Sequence, residues 1–253
     1  MISRPIHSRI LVAACLLTAG ASVSCEKSAP AAKQEEKPAA ELPLSELAQA
    51  DSPVLEILPG HTWSYQVTVE NPYDTRIEKS LKGSFVRTRT YLGKVNPGEG
   101  HPMTDCFEVQ AKGAKTQREY VDIQPNEIQL RGQVDVEADG AQSNFVWLQQ
   151  PMTFFRAGLD AGDTLPFAVF NQDKDVWRVI RVIGREDLTV PAGTFKTVRL
   201  QMFGKDGNVG LRRTYWFAPG VGIIREEKVR EVDEKPVFRE TDELVSSTPG
   251  KNA

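Results

Sequence analysis

From His61 to Val69 the chain alternates between apolar and polar positions. Trp63, Tyr65, Val67 and Val69 fall on one side, and Thr62, Ser64, Gln66 and Thr68 on the other. A period of two, carried by aromatic and β-branched residues, predicts a half-buried strand. The pattern recurs at Ile128, Leu130, Val134 and Val136, and again at Val198, Leu200 and Met202. It is looser over Ser84 to Leu92, Phe107 to Ala111 and Glu119 to Ile123. Val176 to Ile183 is apolar on both faces except at Arg178 and Arg181, which predicts a central strand.

Turn residues separate these runs. Asp139-Gly140 and Asp206-Gly207-Asn208 suit tight hairpins that need positive φ. Pro97-Gly98, Pro125-Asn126, Pro191-Ala192-Gly193 and Pro219-Gly220 mark further reversals. No stretch carries a long 3.6-residue apolar period, so parallel βαβ architecture is excluded. The expected fold is all-β: one antiparallel, mainly meandering sheet curved into a half-barrel, barrel or sandwich, with few helices. Phe145 to Phe155 breaks the alternation. It holds three Phe, one Trp and Pro151, and proline has no place in a central strand. This stretch reads as a crossing segment that lays aromatics against the sheet.

The N-terminus has a different character. Arg4 and Arg9 precede an apolar run from Ile10 to Val23, and small residues lead to Cys25. Polarity then switches at once to Glu26, Lys27 and Ser28. This order is that of an export signal. The run falls short of the roughly 20 apolar residues that a permanent span needs. Ser22-Val23-Ser24-Cys25 resembles a bacterial lipobox, which implies a diacylglyceryl thioether on Cys25 and a membrane anchor. Cys15, behind Val12-Ala13-Ala14, would leave Leu16 and Leu17 at the new terminus and is rejected. The alternative is cleavage after Ala21, where Ala19-Gly20-Ala21 fits the small-x-small rule and would release a soluble periplasmic protein.

The domain organisation follows. Residues 1–24 are the signal, and 25–52 are the lipidated cysteine and a tether rich in Ala, Pro, Lys and Glu, expected to be disordered. As a flexible coil that tether reaches about 30 Å. Residues 53–246 form the β domain and 247–253 a tail.

The hydrophobic content, 40% of 253 residues, suffices for a core. The formal charge of −3 falls to about −5 once Arg4 and Arg9 leave with the signal. A mildly acidic surface excludes nucleic acid as a partner and offers no polybasic membrane patch. Cys106 alone remains in the domain, so no intramolecular disulfide is available, and it reads as a small buried hydrophobe.

Two blocks carry a resemblance. Leu188 to Leu200 contains Val190-Pro191-Ala192-Gly193-Thr194-Phe195, and Arg213 to Ile224 contains Tyr215-Trp216-Phe217-Ala218-Pro219-Gly220-Val221-Gly222. The pair resembles a hallmark of an uncharacterised family of bacterial envelope proteins and lipoproteins. Pro59 to Tyr65 and Gly162 to Leu165 are similar to that family's other landmarks. The resemblance covers Leu58 to Val245. It implies a curved antiparallel sheet, distantly like the half-barrels of lipoprotein carriers, and it implies no chemistry. The residues themselves explain the motif as hairpins. Pro191-Ala192-Gly193 reverses the chain, Phe195 re-enters the core, and Tyr215 and Phe217 share a face opposite Trp216.

Catalytic signatures are missing from the sequence. His61 and His101 lack paired-ligand spacing, and His101 sits in a predicted surface loop. Asn171, Gln172, Asp173 and Asp175 offer oxygen ligands but read as a solvated turn. There is no Gly-x-Ser-x-Gly, and paired carboxylates for hydrolysis cannot be recognised by spacing alone. Glu226, Glu227, Lys228, Arg230, Glu231, Asp233, Glu234 and Lys235 are expected to form an exposed charged edge. No cofactor or metal is called for. The candidate binding surface is apolar: Trp147, Phe154, Phe155, Phe167, Trp177 and Trp216, on an inner face expected to lack reactive groups. The functional expectation is a non-enzymatic, lipid-anchored binding or assembly module for a hydrophobic ligand or an envelope protein. The alternatives are an envelope hydrolase with carboxylates assembled by folding, and a purely structural lipoprotein.

Overall fold

The computed structural model describes residues 54–70, 83–165, 177–206 and 208–251. Among these residues twelve strands follow in chain order: β1 (Thr62–Glu70), β2 (Gly83–Val95), β3 (Thr104–Ala111), β4 (Thr116–Ile123), β5 (Glu127–Val136), β6 (Gln142–Arg156), β7 (Thr164–Leu165), β8 (Trp177–Val190), β9 (Gly193–Asp206), β10 (Val209–Ala218), β11 (Gly222–Val232) and β12 (Lys235–Thr248). No helix occurs among the described residues. All twelve strands belong to one antiparallel sheet, in the order β6-β5-β4-β3-β2-β1-β12-β11-β10-β9-β8-β7. The all-β expectation stands, and the sheet rolls into a nearly closed barrel.

The order is a meander with one exception. Every neighbour in the sheet is a neighbour in sequence except β1 and β12, which pair from Thr62↔Thr248 to Glu70↔Arg239. β6 and β7 follow each other in the chain but do not pair, and the seam of the barrel falls there. Side chains of β6 reach past it to β10: Phe154 meets Tyr215 edge-on at 4.7 Å, and Phe155 stacks on Phe217 at 4.2 Å. The aromatic segment is therefore an edge strand that bends inward. That position explains how it tolerates Pro151.

β8 lies one place in from the other edge, rather than at the centre of the sheet as its apolar run predicted. β12 runs through Thr248, two residues past the expected domain end. The motif hairpins form as read. Gly193 and Gly220 take φ of 132° and 79°, Phe195 is buried, and Tyr215 and Phe217 join the inner core while Trp216 points outward.

One alternation misleads. Ile128 and Leu130 face the inner core, but Val134 and Val136 pack on the outer face with Cys106 and Tyr120. The cause is a bulge: Tyr120 pairs with Gly132 and Val121 with Leu130, so Arg131 is left over and every later side chain changes side. A Cβ at Gly132 would collide with the Val146 carbonyl oxygen, because β6 passes directly over it.

One end of the barrel is plugged by the chain itself. Val54 N–H donates to the Pro125 carbonyl at 2.7 Å, and its own carbonyl accepts from Gly220 N–H at 2.9 Å. Val54 and Leu55 are buried between these turns. Trp63 Nε1–H donates to the Val221 carbonyl at 2.8 Å, and the Tyr65 hydroxyl to that of Ile223 at 3.0 Å, which ties β1 to β11 and its turn across β12.

Two substitutions test this geometry. Gly132→Ala should cost about 1–3 kcal/mol in urea unfolding, because the β5–β6 approach must open. Asp233 and Glu234 hold positive φ of 49° and 63° in the β11–β12 turn, a conformation suited to Asn-Gly. Replacing them with Asn and Gly should raise stability by about 1 kcal/mol in the same assay.

Candidate functional site

The six aromatic candidates do not form one surface. Phe155 is buried in the inner core and Phe154 packs against it. Trp147 lies on the opposite face, on the outer cluster around Tyr120. Trp216 is also on the outer face, where its indole N–H donates to Glu186 Oε1 at 2.6 Å and the Arg225 guanidinium lies 5.1 Å from its ring. Trp177 begins β8, but its side chain lies outside the described residues, as do Phe167, Cys25 and the Asn171–Asp175 group. The aromatic half of the lumen is packed. Trp63, Tyr65, Phe107, Ile128, Phe154 and Phe217 leave a cavity of only about 30 Å³, the size of one water.

The other half of the lumen is charged, against the expectation of an apolar inner face. The acidic and basic stretch expected at an exposed edge occupies β11 and β12, and both are interior strands of the sheet. β11 pairs with β12 so that Glu226 faces Asp242 and Lys228 faces Glu240. β10 places Arg213 beside Lys228, and β1 places Val67 beside Asp242. The inner side of this wall therefore carries Arg213, Glu226, Lys228, Glu240 and Asp242. Arg87 reaches it from β2, where it pairs with Tyr65.

The contacts form one network. Arg87 Nη1 donates to Glu240 Oε1 at 2.9 Å and to Asp242 Oδ2. Lys228 Nζ donates to the same Glu240 Oε1 at 2.6 Å and lies 3.7 Å from Glu226 Oε2. Arg213 Nε donates to Glu226 Oε1 at 2.8 Å. Across the lumen, Arg89 pairs with Glu119 at 2.8 Å, and its guanidinium sits 4.1 Å from the Phe107 ring centroid. The Glu226, Glu240 and Asp242 side chains are only 11%, 9% and 7% exposed. Asp242 Oδ1 is buried and has no partner among the described residues.

Burial raises the cost of ionising all three acids, and the cations decide which of them pays. At Glu240, Lys228 and Arg87 outweigh burial and hold the carboxyl down at about 2. At Glu226, burial is opposed by Arg213 and Lys228, and the carboxyl lies below its usual range. Asp242 has one cation in hydrogen-bond contact and two acidic neighbours. There burial wins, and the carboxyl is pushed up to about 6.

The remaining reactive types are spent on packing. Cys106 is buried on the outer face, where burial pushes its thiol up to about 12, as befits a small hydrophobe. His61 stacks on Trp63 at 4.1 Å, with Nε2 2.7 Å from Ser247 Oγ, and burial lowers its pKa. His101 lies elsewhere, over Trp147 at 4.5 Å. Among the described residues no three His, Cys, Asp or Glu side chains group as a metal site.

No family model and no curated protein matches the chain. Two solved structures are similar to it in fold. One is a candidate exported protein with a YMCC-like fold from Bacteroides fragilis, at a TM-score of 0.45 and 13% identity, covering 78% of this chain and 99% of that one. The other is a candidate lipoprotein from Parabacteroides distasonis, at a TM-score of 0.40 and 12% identity, covering 79% of this chain and 100% of that one.

The network predicts its own fragility. Arg87→Met removes a cation from two buried carboxylates and should cost about 3–5 kcal/mol in urea unfolding. Adding Asp242→Leu should recover most of that loss, because the acid left worst compensated is then gone. A single variant as stable as the parent would show that Arg87 does not hold the two acids.

Proposed function

We propose that this chain is an exported cell-envelope protein, anchored by a lipid on Cys25, whose β domain is a non-enzymatic assembly module for a partner protein. The observation that carries the reading is the filled aromatic lumen, whose cavity of about 30 Å³ has no room for an acyl chain. Val54 and Leu55 close the adjacent end with residues of the chain itself. A carrier of hydrophobic ligands needs the space that these side chains occupy. The N-terminal order of Arg4, Arg9, apolar run and Cys25 supports export and anchoring.

The rival reading, an envelope hydrolase, has one observation in its favour. Glu226 and Asp242 are register neighbours in a polar lumen, and burial raises one of the two carboxyls. Against it, Arg213 and Arg87 hold one oxygen of each acid in an ion pair, and the two side chains are nearly closed to a substrate, at 11% and 7% exposed.

Mass spectrometry of protein purified from its own membrane tests the proposal. The expected mature chain starts at Cys25 with a diacylglyceryl group, and Cys25→Ser should leave the membrane fraction. Native spectra of the Cys25→Ser protein should show no retained lipid. An unmodified N-terminus at Ser22 would overturn the anchor, and a bound acyl ligand in the Cys25→Ser protein would overturn the filled-barrel reading.

A further inference from the structure

The lumenal network has more acid than its hydrogen bonds satisfy. Asp242 and Glu226 stand directly opposite on β12 and β11, both facing inward. Side chains in such a pair sit close enough for two like charges to oppose each other. Glu226 Oε1 is taken by Arg213, whereas Glu226 Oε2 has only Lys228 near it, at 3.7 Å. Asp242 Oδ2 is taken by Arg87, and Oδ1 has no partner. Asp242 Oδ1 is thus buried and uncommitted, and Glu226 Oε2 on the adjacent strand holds only the longer ion contact to Lys228.

We infer that Asp242 and Glu226 share a proton at mildly acidic pH, and that this proton draws the β11–β12 wall of the barrel together. With the proton on Asp242 Oδ1, a buried orphan acceptor becomes a donor to the carboxylate of Glu226. No bond is broken and no other reactant is needed. The proton comes from solvent, and the pair loses one unit of negative charge.

The surroundings set the direction. Facing Asp242 are Arg87 from β2, Lys228 from β11 and Glu240 on its own strand. Tyr65 of β1 feels the same charge, and its hydroxyl is committed to the Ile223 carbonyl. Arg213 of β10 holds the far side of Glu226, and the charges of Tyr215 beside it and Glu119 on the opposite wall act on Arg213. Burial lifts Asp242 to about 6, above its ordinary value, so the folded chain binds this proton more tightly than the unfolded one. Stability from this group is complete below roughly pH 4 and is lost as pH rises through 6. Glu240, held at about 2, acts in the opposite sense and loses its contribution as pH falls below roughly 4.5. The two contributions balance at roughly pH 4 to 4.5, and their sum falls as pH rises from there through 6.

The test uses the full chain in detergent. Infrared titration should show one protonated carboxyl whose band disappears with a midpoint near 6, and Asp242→Asn should abolish it. Glu226→Gln should move the midpoint downward, because the like charge opposite Asp242 is gone. Amide exchange in β11 and β12, corrected for the intrinsic pH dependence, should be several-fold slower at pH 5 than at pH 7.5. Should Asp242→Asn fail to fold, Glu226→Gln and the exchange measurement decide the matter. The inference is overturned if no carboxyl titrates near 6, if Glu226→Gln leaves the midpoint in place, or if β11–β12 exchange is the same at both pH values.

Discussion

The pairing of the first strand with the last is the constraint on which this structure depends. A twelve-strand meander left alone has two free ends, β1 and β12, and each would expose a row of unpaired backbone groups. Joining them turns the charged β11–β12 hairpin from an edge into an interior wall. It brings Val67 beside Asp242 and Val69 beside Glu240, so the apolar side of β1 continues into an acidic row. It also carries β2 to within reach of β12, which is how Arg87 meets two carboxylates more than 150 positions away in sequence. The closure is expensive in chain entropy, because nearly the whole domain is looped out before these contacts form. A topology of this kind forms its decisive ladder late and folds slowly.

The closure also sorts the lumen into two halves with different physics. Around Trp63, Phe107, Phe155 and Phe217 the sheet is held by close packing, and polar tips are satisfied by carbonyls of the β10–β11 region. Towards Arg87, Arg213 and Lys228 it is held by charges that balance one another but are poorly hydrated. A buried ion-pair network adds little net stability compared with apolar packing of the same volume, yet it penalises any register that separates its partners. A one-residue slip of β12 against β11 would turn Glu240 and Asp242 outward and leave Lys228 and Arg87 unpaired within the barrel. That penalty makes the network a device for register as much as for stability.

Much of the fold was legible because a packed inner face writes an apolar period into the strands that line it. Trp63 to Val69 shows it, and so does the Pro191-Ala192-Gly193 reversal that returns Phe195 to the core. Legibility ended where the inner face became polar. Over Arg225 to Arg230 and Arg239 to Glu243, charged residues fall on both sides of the strand, so alternation no longer tells inside from outside. Nothing local says that β12 finds β1, and without that partner a charged terminal hairpin reads as a solvated edge. The flip of Val134 and Val136 was hidden for a similar reason. A bulge of one residue at Arg131 leaves the letters alternating while the backbone changes phase. The aromatic set failed to converge because Trp147 and Trp216 alternate to the outer face, where indole surface is covered by His101 in one case and by Arg225 in the other.

The two ends of the barrel are therefore not equivalent, and the position of Val54 gives the difference a direction. Val54, the first described residue, lies at the plugged end, between the Pro125 and Gly220 turns. If Cys25 holds the membrane as proposed, that end is the one attached to it. The opposite end carries the β3–β4, β5–β6, β9–β10 and β11–β12 turns and the charged half of the lumen, because antiparallel strands send alternate turns to opposite ends. On that proposal the end with the packed core would be tied down, and the end with titratable groups would face the compartment. An assembly partner would then face the mixed charges of these hairpins, where Lys205, Arg212, Glu231, Asp233 and Glu234 line an open groove of about 550 Å³. Recognition there would rest on charge register and depend on salt, while the greasy half of the barrel serves only to keep those hairpins in place.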